Sequence, residues 1–353
     1  MLIELTKWEQ RNKKDLQTCF PRRIELVLIG WIVMALVALL SKWISGLVVV
    51  NDTHPLEAML VGIIIGAVAR NMGFIPKKME AYLKKFETPL LWGIMLLGAG
   101  FTLKVASELP LSLVVIFASM LVGFFFVYFV ARKMGLPDKL CALLAVGTSI
   151  CGGSAIAITS PLIKAKEEET SYAVSTIVIA AFILLVSLPF LGKLMGLDQT
   201  VFGIWAGTSV HNTPQTIGTG YIYGEDAGQV ATIVKLTRNM FMIVVAMVVS
   251  FWFGAKEAGR DKLGKKAILK AFPWVLFGYV GMAICAVKGF FTPEGVSFFK
   301  AAGKFLILMG MVGIGFGTDF RAIKKLGFKP LLIGIMGAAV VTSVSLVMVK
   351  LLF

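Results

Sequence analysis

The 353-residue sequence has little charge, few histidines and few cysteines. Only 16% of its residues are charged, it contains 2 His and 4 Cys, and 58% of its residues are hydrophobic. A soluble domain is typically about half apolar and about a quarter charged. The mean hydropathy of +0.85 points the same way. This composition excludes a soluble enzyme, a disordered chain and a secreted disulfide scaffold.

The four cysteines, Cys19, Cys141, Cys151 and Cys285, are scattered and show no Cys-x-x-Cys spacing. We interpret them as inert thiols and expect no disulfide framework, no metal site and no cofactor. A membrane-embedded enzyme should carry a catalytic carboxylate, metal ligands or a cofactor-attachment site. Because the sequence shows none of these patterns, we expect that the protein is not an enzyme.

Long apolar runs are what the sequence has in abundance. A run of roughly 20 apolar residues matches the thickness of the hydrocarbon core of a bilayer. Eleven such spans are predicted, at about 24–41, 55–69, 88–103, 109–131, 138–163, 171–191, 199–220, 226–254, 271–287, 298–318 and 330–350. We therefore predict an all-α polytopic membrane protein with about 11 transmembrane helices. Residues 1–23 form its N-terminal segment, and residues 24–353 form a single integral membrane domain.

The basic residues are distributed unevenly between the two predicted sides of the membrane. Alternate connecting segments, starting with residues 1–23, hold 25 of the 35 Lys and Arg residues. The positive-inside rule then places the N-terminus in the cytoplasm and, with an odd number of spans, the C-terminus outside. The net charge of +15 is thus assigned to orientation in the cell (inner) membrane and to contact with anionic lipid, and no nucleic-acid partner is expected.

One internal repeat is visible. The motif MLLGAGF at 95–101 resembles MVGIGF at 311–316, and a proline and a long apolar run follow each of them. The related segments, about 88–133 and 298–350, are offset by seven spans and would cross the membrane in opposite directions. Inverted-topology repeats are typical of secondary transporters. The alternative is that Gly-x-Gly-Phe recurs by chance, since small residues are common in membrane helices.

Two predicted spans carry polar, glycine-rich interruptions near their middle, GTSICGGS at 147–154 and GTSVHNTPQ at 207–215. Glycine and proline weaken a helix, and the backbone amides that a break exposes need protein or a wet cavity to satisfy them. We predict two discontinuous helices that share one site. The alternative is a pair of kinked, continuous helices whose Ser and Thr hydroxyls bond back to the main chain.

Two cations lie deep in the eighth predicted span. Lys235 and Arg238 are three residues apart and share a helix face. Each costs about 2.5–3.5 kcal/mol at the centre of a membrane helix. No Asp or Glu lies in the core of any predicted span, so the remaining partners are backbone carbonyls, hydroxyls and a bound anion. Two interpretations follow: the cations neutralise an anionic substrate, or they tie the interrupted helices together.

These features predict a substrate site built mostly of hydrogen-bond donors. Such a site suits a fully deprotonated oxyanion such as sulfate, whereas a monoprotonated phosphate would prefer a carboxylate acceptor. His211 is expected to titrate, to donate to the anion or to carry a coupling proton, with a neutral structural histidine as the alternative. The predicted substrate-binding residues are Ser149, Gly152, Gly153, Ser154, Thr208, Ser209, His211, Asn212, Thr213, Gln215, Lys235, Arg238 and Asn239.

Three motifs together, GTSICGGSAI at 147–156, GTSVH at 207–211 and VKLTRN at 234–239, resemble the signatures of the YeiH family of proposed sulfate exporters. The resemblance covers nearly the whole chain. It implies membership of a transporter group that includes bile-acid/sodium symporters and cation/proton antiporters, whose inverted repeats and crossed, broken helices are split between a core and a panel domain. Many members of that family have an acidic residue after the histidine, whereas this chain has Asn212. Cation/proton antiport is therefore not expected.

The leading hypothesis is a secondary transporter that moves a small inorganic or sulfonate-type anion, such as sulfate or a related sulfur oxyanion, by alternating access. The resemblance suggests export. The expected partners are this anion, a coupling proton or sodium, the lipid bilayer and, by analogy, a second copy in a homodimer. The alternatives are a sodium-coupled organic-anion symporter, with sodium held by carbonyls of the unwound segments and by Asn212 and Thr213, an intramembrane enzyme subunit and a channel.

Overall fold

The computed structural model describes residues 27–47, 58–75, 87–101, 109–253, 274–318 and 328–353, and the regular structure in these ranges is helical. The predicted N-terminal segment 1–23 lies outside them. The helices are α1 (Val27–Leu47), α2 (Ala58–Asn71), α3 (Glu87–Leu97, followed by the 3-10 turn Gly98–Gly100), α4 (Leu109–Lys133), α5 (Asp138–Ser149), α6 (Gly153–Leu162), α7 (Glu167–Leu194), α8 (Gln199–Ser209), α9 (Thr213–Tyr223), α10 (Glu225–Met240), α11 (Met242–Trp252), α12 (Trp274–Val287), α13 (Pro293–Gly317) and α14 (Phe328–Leu352).

The helices confirm the prediction of an all-helical membrane protein. Six segments are long and apolar enough to cross a bilayer by length and composition: α1, α4, α7, α10 with most of α11, α13 and α14. Each of the eleven predicted spans coincides with one helix or with a consecutive pair. Several of these helices have only 10–17 residues, so the number of crossings stays a prediction.

Three predicted spans are each divided between two helices. Residues 150–152 separate α5 from α6, residues 210–212 separate α8 from α9, and Phe241 alone separates α10 from α11. At the first separation Gly152 has φ +67° and ψ −120°, a conformation that only glycine adopts readily. At the second, Pro214 falls in the first turn of α9, where its missing N–H costs no hydrogen bond.

The chain divides into two compact units. The first comprises Met1–Pro89 with Leu308–Thr318, and the second comprises Leu90–Ile307 with Asp319–Phe353. In the first unit, α2 contacts the C-terminal part of α13 closely, since a Cβ on Gly66 would lie 2.5 Å from the carbonyl oxygen of Val312. Asn71 Nδ2 also donates to the carbonyl of Thr318 at 2.9 Å. Small residues permit this approach, as in other membrane helix pairs.

The second unit contains the interrupted helices. Every residue of α5 from Leu140 to Ser149 is buried, so this helix is interior on all sides. Helix α10 contacts α8 at Gly203 and Gly207 and α9 at Gly220, because a side chain at any of these glycines would clash with α10. These close contacts hold α10 against both halves of the second interrupted pair.

The two repeat motifs each precede a helix of 25 residues, α4 and α14. These helices contact each other through Gly123 against Val341 and Gly337 against Val127. The inverted symmetry of the segments 88–133 and 298–350 stays a prediction.

Candidate functional site

The two interruptions that separate α5 from α6 and α8 from α9 lie next to each other. A Cβ built on Gly152 would be 3.6 Å from the carbonyl oxygen of His211 and 3.7 Å from Cα of Asn212. The structure therefore brings together the two motifs that the sequence predicts to share a site. We call residues 148–154 and 208–213, with the α10 side chains that reach them, the crossing.

The Lys235 ammonium group is enclosed by main-chain oxygens of the crossing. Lys235 is fully buried, and its Nζ donates to the carbonyls of Ile150 at 2.8 Å, Val210 at 2.8 Å and His211 at 2.7 Å. An ammonium has three N–H donors, so all of them are used. One side chain thus joins both interruptions.

The Arg238 guanidinium group repeats this arrangement one helical turn further along α10. It is also fully buried, and it donates from Nε to the carbonyl of Ser149 at 2.8 Å, from Nη1 to that of Thr208 at 2.5 Å and from Nη2 to that of Thr148 at 3.0 Å. These carbonyls belong to the last turns of α5 and α8, where a helix leaves its C=O groups without partners.

The six hydrogen bonds are those expected if the cations tie the interrupted helices together. The C-terminal end of a helix carries roughly −0.5 charge, so two cations held against two such ends are favourable. Within the described ranges no carboxylate forms an ion pair with either side chain. Direct contact of Lys235 and Arg238 with an anion stays a prediction.

The N-terminal ends of α6 and α9 carry no such side-chain partner. Gly152 and Asn212 are their N-cap residues, and neither makes a side-chain capping hydrogen bond. By contrast, Asp198 caps α8, and Gln199 Oε1 accepts from the first turn of α10. The two N-termini at the crossing therefore present a partial positive charge that no carboxylate of the described residues caps.

Several buried polar side-chain atoms near these N-termini also lack a protein partner. His211 is fully buried, and neither of its ring nitrogens makes a hydrogen bond of good geometry to a described residue. Whether it serves a substrate site or is a structural histidine stays a prediction. The other such atoms at or beside the crossing are Thr148 Oγ1, Ser209 Oγ, Gln215 Oε1 and Asn239 Oδ1. Buried polar atoms are nearly always paired with protein, water or a ligand, so this group makes the crossing a candidate binding site.

The remaining predicted site residues divide into three groups. Ser149 and Thr208 bond back to the carbonyls of Ala145 and Ile204, at 2.6 and 2.7 Å, as the kinked-helix alternative describes. Asn239 Nδ2 donates to Thr213 Oγ1 at 3.1 Å, which links α10 to the start of α9. Gly153 is half-buried and Ser154 is exposed at the start of α6.

Sequence reasoning missed the main-chain acceptors of Thr148, Ile150 and Val210, and it missed Thr216, whose hydroxyl donates to the Val210 carbonyl at 3.0 Å. Thr148 lies within the Gly-Thr-Ser motif, which is the one signal that pointed to it. A search of the described residues for three or more clustered His, Cys, Asp or Glu side chains finds no group that could hold a metal ion.

Replacing Gly152 by alanine is expected to destabilise the crossing. Its φ of +67° costs a residue with a Cβ about 1–3 kcal/mol, and the new methyl would lie 3.2 Å from Ile177. The melting temperature of the purified protein in detergent should therefore fall by several degrees. Gly281→Ala on α12 is the matched control, because it has open space around it and should leave the melting temperature unchanged or higher. Equal melting temperatures of Gly152→Ala and Gly281→Ala would contradict the claim that Gly152 is required for its positive φ.

Comparison with known proteins identifies similar chains in many bacteria. A family model described as conserved hypothetical protein 698 matches residues 29–334. A UPF0324 membrane protein of Clostridium tetani is 29% identical over 331 residues, covering 90% of this chain and 95% of the relative. Others from Agrobacterium fabrum and Photobacterium profundum are 31% and 30% identical, covering 77% and 80% of this chain and 77% and 83% of the relatives. These descriptions name membrane proteins and no substrate.

Proposed function

The chain belongs to the family of conserved hypothetical protein 698, whose matching relatives are UPF0324 membrane proteins, and we propose that it is a secondary transporter of a small inorganic or sulfonate-type anion. The anion binds at the crossing, against the N-terminal ends of α6 and α9. The observation that carries this proposal is the asymmetry of the crossing: cations cap the two C-terminal helix ends, while the N-cap residues of the two N-terminal ends make no side-chain capping hydrogen bond.

The charge at the crossing favours an anion. Two helix C-termini contribute roughly −0.5 each and two N-termini roughly +0.5 each, so the ends cancel and the charges of Lys235 and Arg238 remain. Along the five helices that form the crossing, the acidic residues are Asp138, Glu225 and Asp226, at the first or second position of a helix. Asp226 is about 18 Å from Arg238 along the helix axis. The net charge of about +2 equals in magnitude the charge of a sulfate dianion.

The hydrogen-bonding groups at the crossing favour a fully deprotonated oxyanion. The hydroxyls of Thr148 and Ser209 and the ring of His211 can each donate, and the first amides of α6 and α9 add backbone donors. A protonated oxyanion would need an acceptor. The described part of the crossing has no carboxylate for this, and its unpaired acceptors are the weaker amide oxygens of Gln215 and Asn239. The resemblance to the proposed sulfate exporters points to the same class of substrate.

The proposed mode of transport is alternating access in the cell inner membrane, with the N-terminus in the cytoplasm. In this proposal α5–α6, α8–α9 and α10–α11 act as one moving element, because Lys235 and Arg238 hold both interrupted pairs to α10. We interpret each interrupted pair as one discontinuous transmembrane helix. The protein is then a carrier rather than an enzyme. We expect it to form a homodimer and to export its substrate.

The proposal is tested by binding and flux measurements on purified protein. A bound anion raises the melting temperature by mass action, so we expect a saturable rise with sulfate, sulfite, thiosulfate or taurine, and a smaller rise with phosphate. Proteoliposomes loaded with the best ligand should exchange it for labelled ligand outside. A melting temperature that none of these anions changes, together with absent exchange, would overturn the proposal. Exchange that requires sodium would favour the organic-anion symporter instead.

A further inference from the structure

We propose that the carbonyl cage around Lys235 is a monovalent-cation site that this chain fills with its own side chain. The cage consists of the carbonyl oxygens of Ile150, Val210 and His211, all within 2.8 Å of Nζ. They come from the two interruptions, so the ammonium lies where the helix pairs α5–α6 and α8–α9 are both interrupted. The claim about the cage stands on this geometry alone, whereas its consequence for transport rests on the proposed function.

Cages of this kind suit a small cation. In transporters with broken helices, unwound carbonyls and the C-terminal ends of half-helices coordinate sodium or a proton carrier. Here the same groups converge on a primary ammonium, and each of its three N–H donors has an oxygen acceptor. The position is fully buried, and a second cation would have to displace Nζ against its charge. A free sodium ion therefore has no place in this cage.

The consequence is a carrier in which the Lys235 ammonium, a covalently attached cation, takes the place of a free coupling ion. A free coupling ion enters and leaves the cage during each cycle, but the Lys235 ammonium stays within it. The cage then holds the two interruptions together in every state, and anion movement does not depend on sodium or potassium. Asn212 and Thr213, the side chains that a sodium-coupled alternative would use, lie beside a cage that is already filled.

The decisive variant is Lys235→Ala, which empties the cage and the channel that the Cγ, Cδ and Cε methylene groups occupied. We expect its melting temperature to fall by roughly 5–10 °C, because the buried carbonyls of Ile150 and His211 lose their partner, whereas that of Val210 keeps the Thr216 hydroxyl. Propylammonium chloride should restore at least half of this loss in a saturable manner, since it supplies an ammonium and an alkyl chain of suitable length. Choline chloride at the same ionic strength should restore none of it.

Two control variants separate cage filling from general effects of the salt. Lys235→Met keeps the channel filled and lacks the ammonium, so propylammonium should not restore its stability. Lys193→Ala removes an exposed lysine at the end of α7 and should melt like the parent in every salt. Equal responses of Lys235→Ala to propylammonium and choline, or no response to either, would overturn the proposal.

A measurement on the parent protein keeps the proposal testable if Lys235→Ala does not fold. The parent should melt at the same temperature in chloride salts of sodium, potassium, propylammonium and choline at equal ionic strength, because its cage is occupied. A rise specific to sodium or potassium would reveal a free cation site and overturn the proposal. These melting measurements do not involve anion flux, so a parent that exchanges no anion would refute the transporter proposal and leave the cage proposal standing.

Discussion

Replacing Arg238 by methionine is expected to destabilise the protein severely. Methionine fills part of the space but donates no hydrogen bond, so the carbonyls of Thr148, Ser149 and Thr208 lose their partners in a dry interior. Each unsatisfied buried acceptor costs about 1–3 kcal/mol, and three together reach about 3–9 kcal/mol. The whole free energy of unfolding of a typical domain is only about 5–15 kcal/mol. We expect part of the protein to aggregate in size-exclusion chromatography and the folded remainder to melt roughly 10 °C or more below the parent.

Two further variants show whether the loss comes from this geometry. Arg238→Lys keeps the charge but lacks the planar guanidinium fork that reaches all three carbonyls. Its stability should therefore lie between those of the parent and Arg238→Met. Arg132→Met removes an exposed arginine whose ion pair with Asp138 at 3.0 Å contributes about 0–1 kcal/mol. It should fold and melt like the parent. If Arg238→Met also folded and melted like the parent, Arg238 would not hold α5 to α8, and direct anion binding by its guanidinium would become the better interpretation.

The positions of the helices followed from the sequence because the bilayer sets their length. An apolar run must satisfy its backbone within itself, so each long run becomes a helix. Helix α4, predicted as 109–131, spans Leu109–Lys133, and α14, predicted as 330–350, spans Phe328–Leu352. Their ends are close to prediction because Arg132, Lys133 and Lys350 mark where the apolar runs stop. How many of the shorter helices cross the bilayer depends on packing that no local pattern encodes.

The interruptions were also predictable, since their cause is local. Gly152 adopts a backbone conformation that other residues avoid, and Pro214 can begin a helix but not continue one. Their proximity to each other was an expectation based on similar motifs at similar depth. Gly152 lies close to His211 and Asn212, so the two motifs are neighbours, and their sharing of one site stays a prediction.

The partners of the cations could not be chosen from the sequence. Every residue except proline has the same main-chain carbonyl acceptor, so the acceptors of Lys235 and Arg238 have no sequence signature. The spacing of the two residues predicts a shared face of α10, and the absence of nearby acids restricts the partners to carbonyls, hydroxyls or an anion. Choosing among these needed the positions of the last turns of α5 and α8. The same limit applies to Ser149 and Thr208, whose hydroxyls could bond to a ligand or back to their own helices.

Replacing Asn212 by aspartate is expected to abolish anion binding at neutral and alkaline pH. Asn212 is the N-cap of α9, and the substitution introduces a carboxylate of nearly the same shape at the end where we place the anion. The carboxylate itself favours the helix N-terminus, so it competes with the anion rather than unfolding the protein. Two unit charges about 4 Å apart interact by about 4 kcal/mol at an effective dielectric of 20, which corresponds to roughly a thousandfold loss of affinity.

The loss should reverse in acid. Protonation of the new carboxyl group removes its charge, so the sulfate-induced rise in melting temperature should be absent at about pH 8 and return only as the pH falls to about 4 or below. The informative quantity is the ratio of variant to parent affinity, because protonation of His211 would act on both proteins. Gln199→Glu is the matched control: it makes the same amide-to-carboxylate change at the N-terminus of α10, where Gln199 is exposed, and it should keep the parent's response at every pH. A sulfate response of Asn212→Asp equal to the parent's at pH 8 would place the anion away from the N-termini of α6 and α9. The positive charge of the crossing would then serve only to hold the helices together.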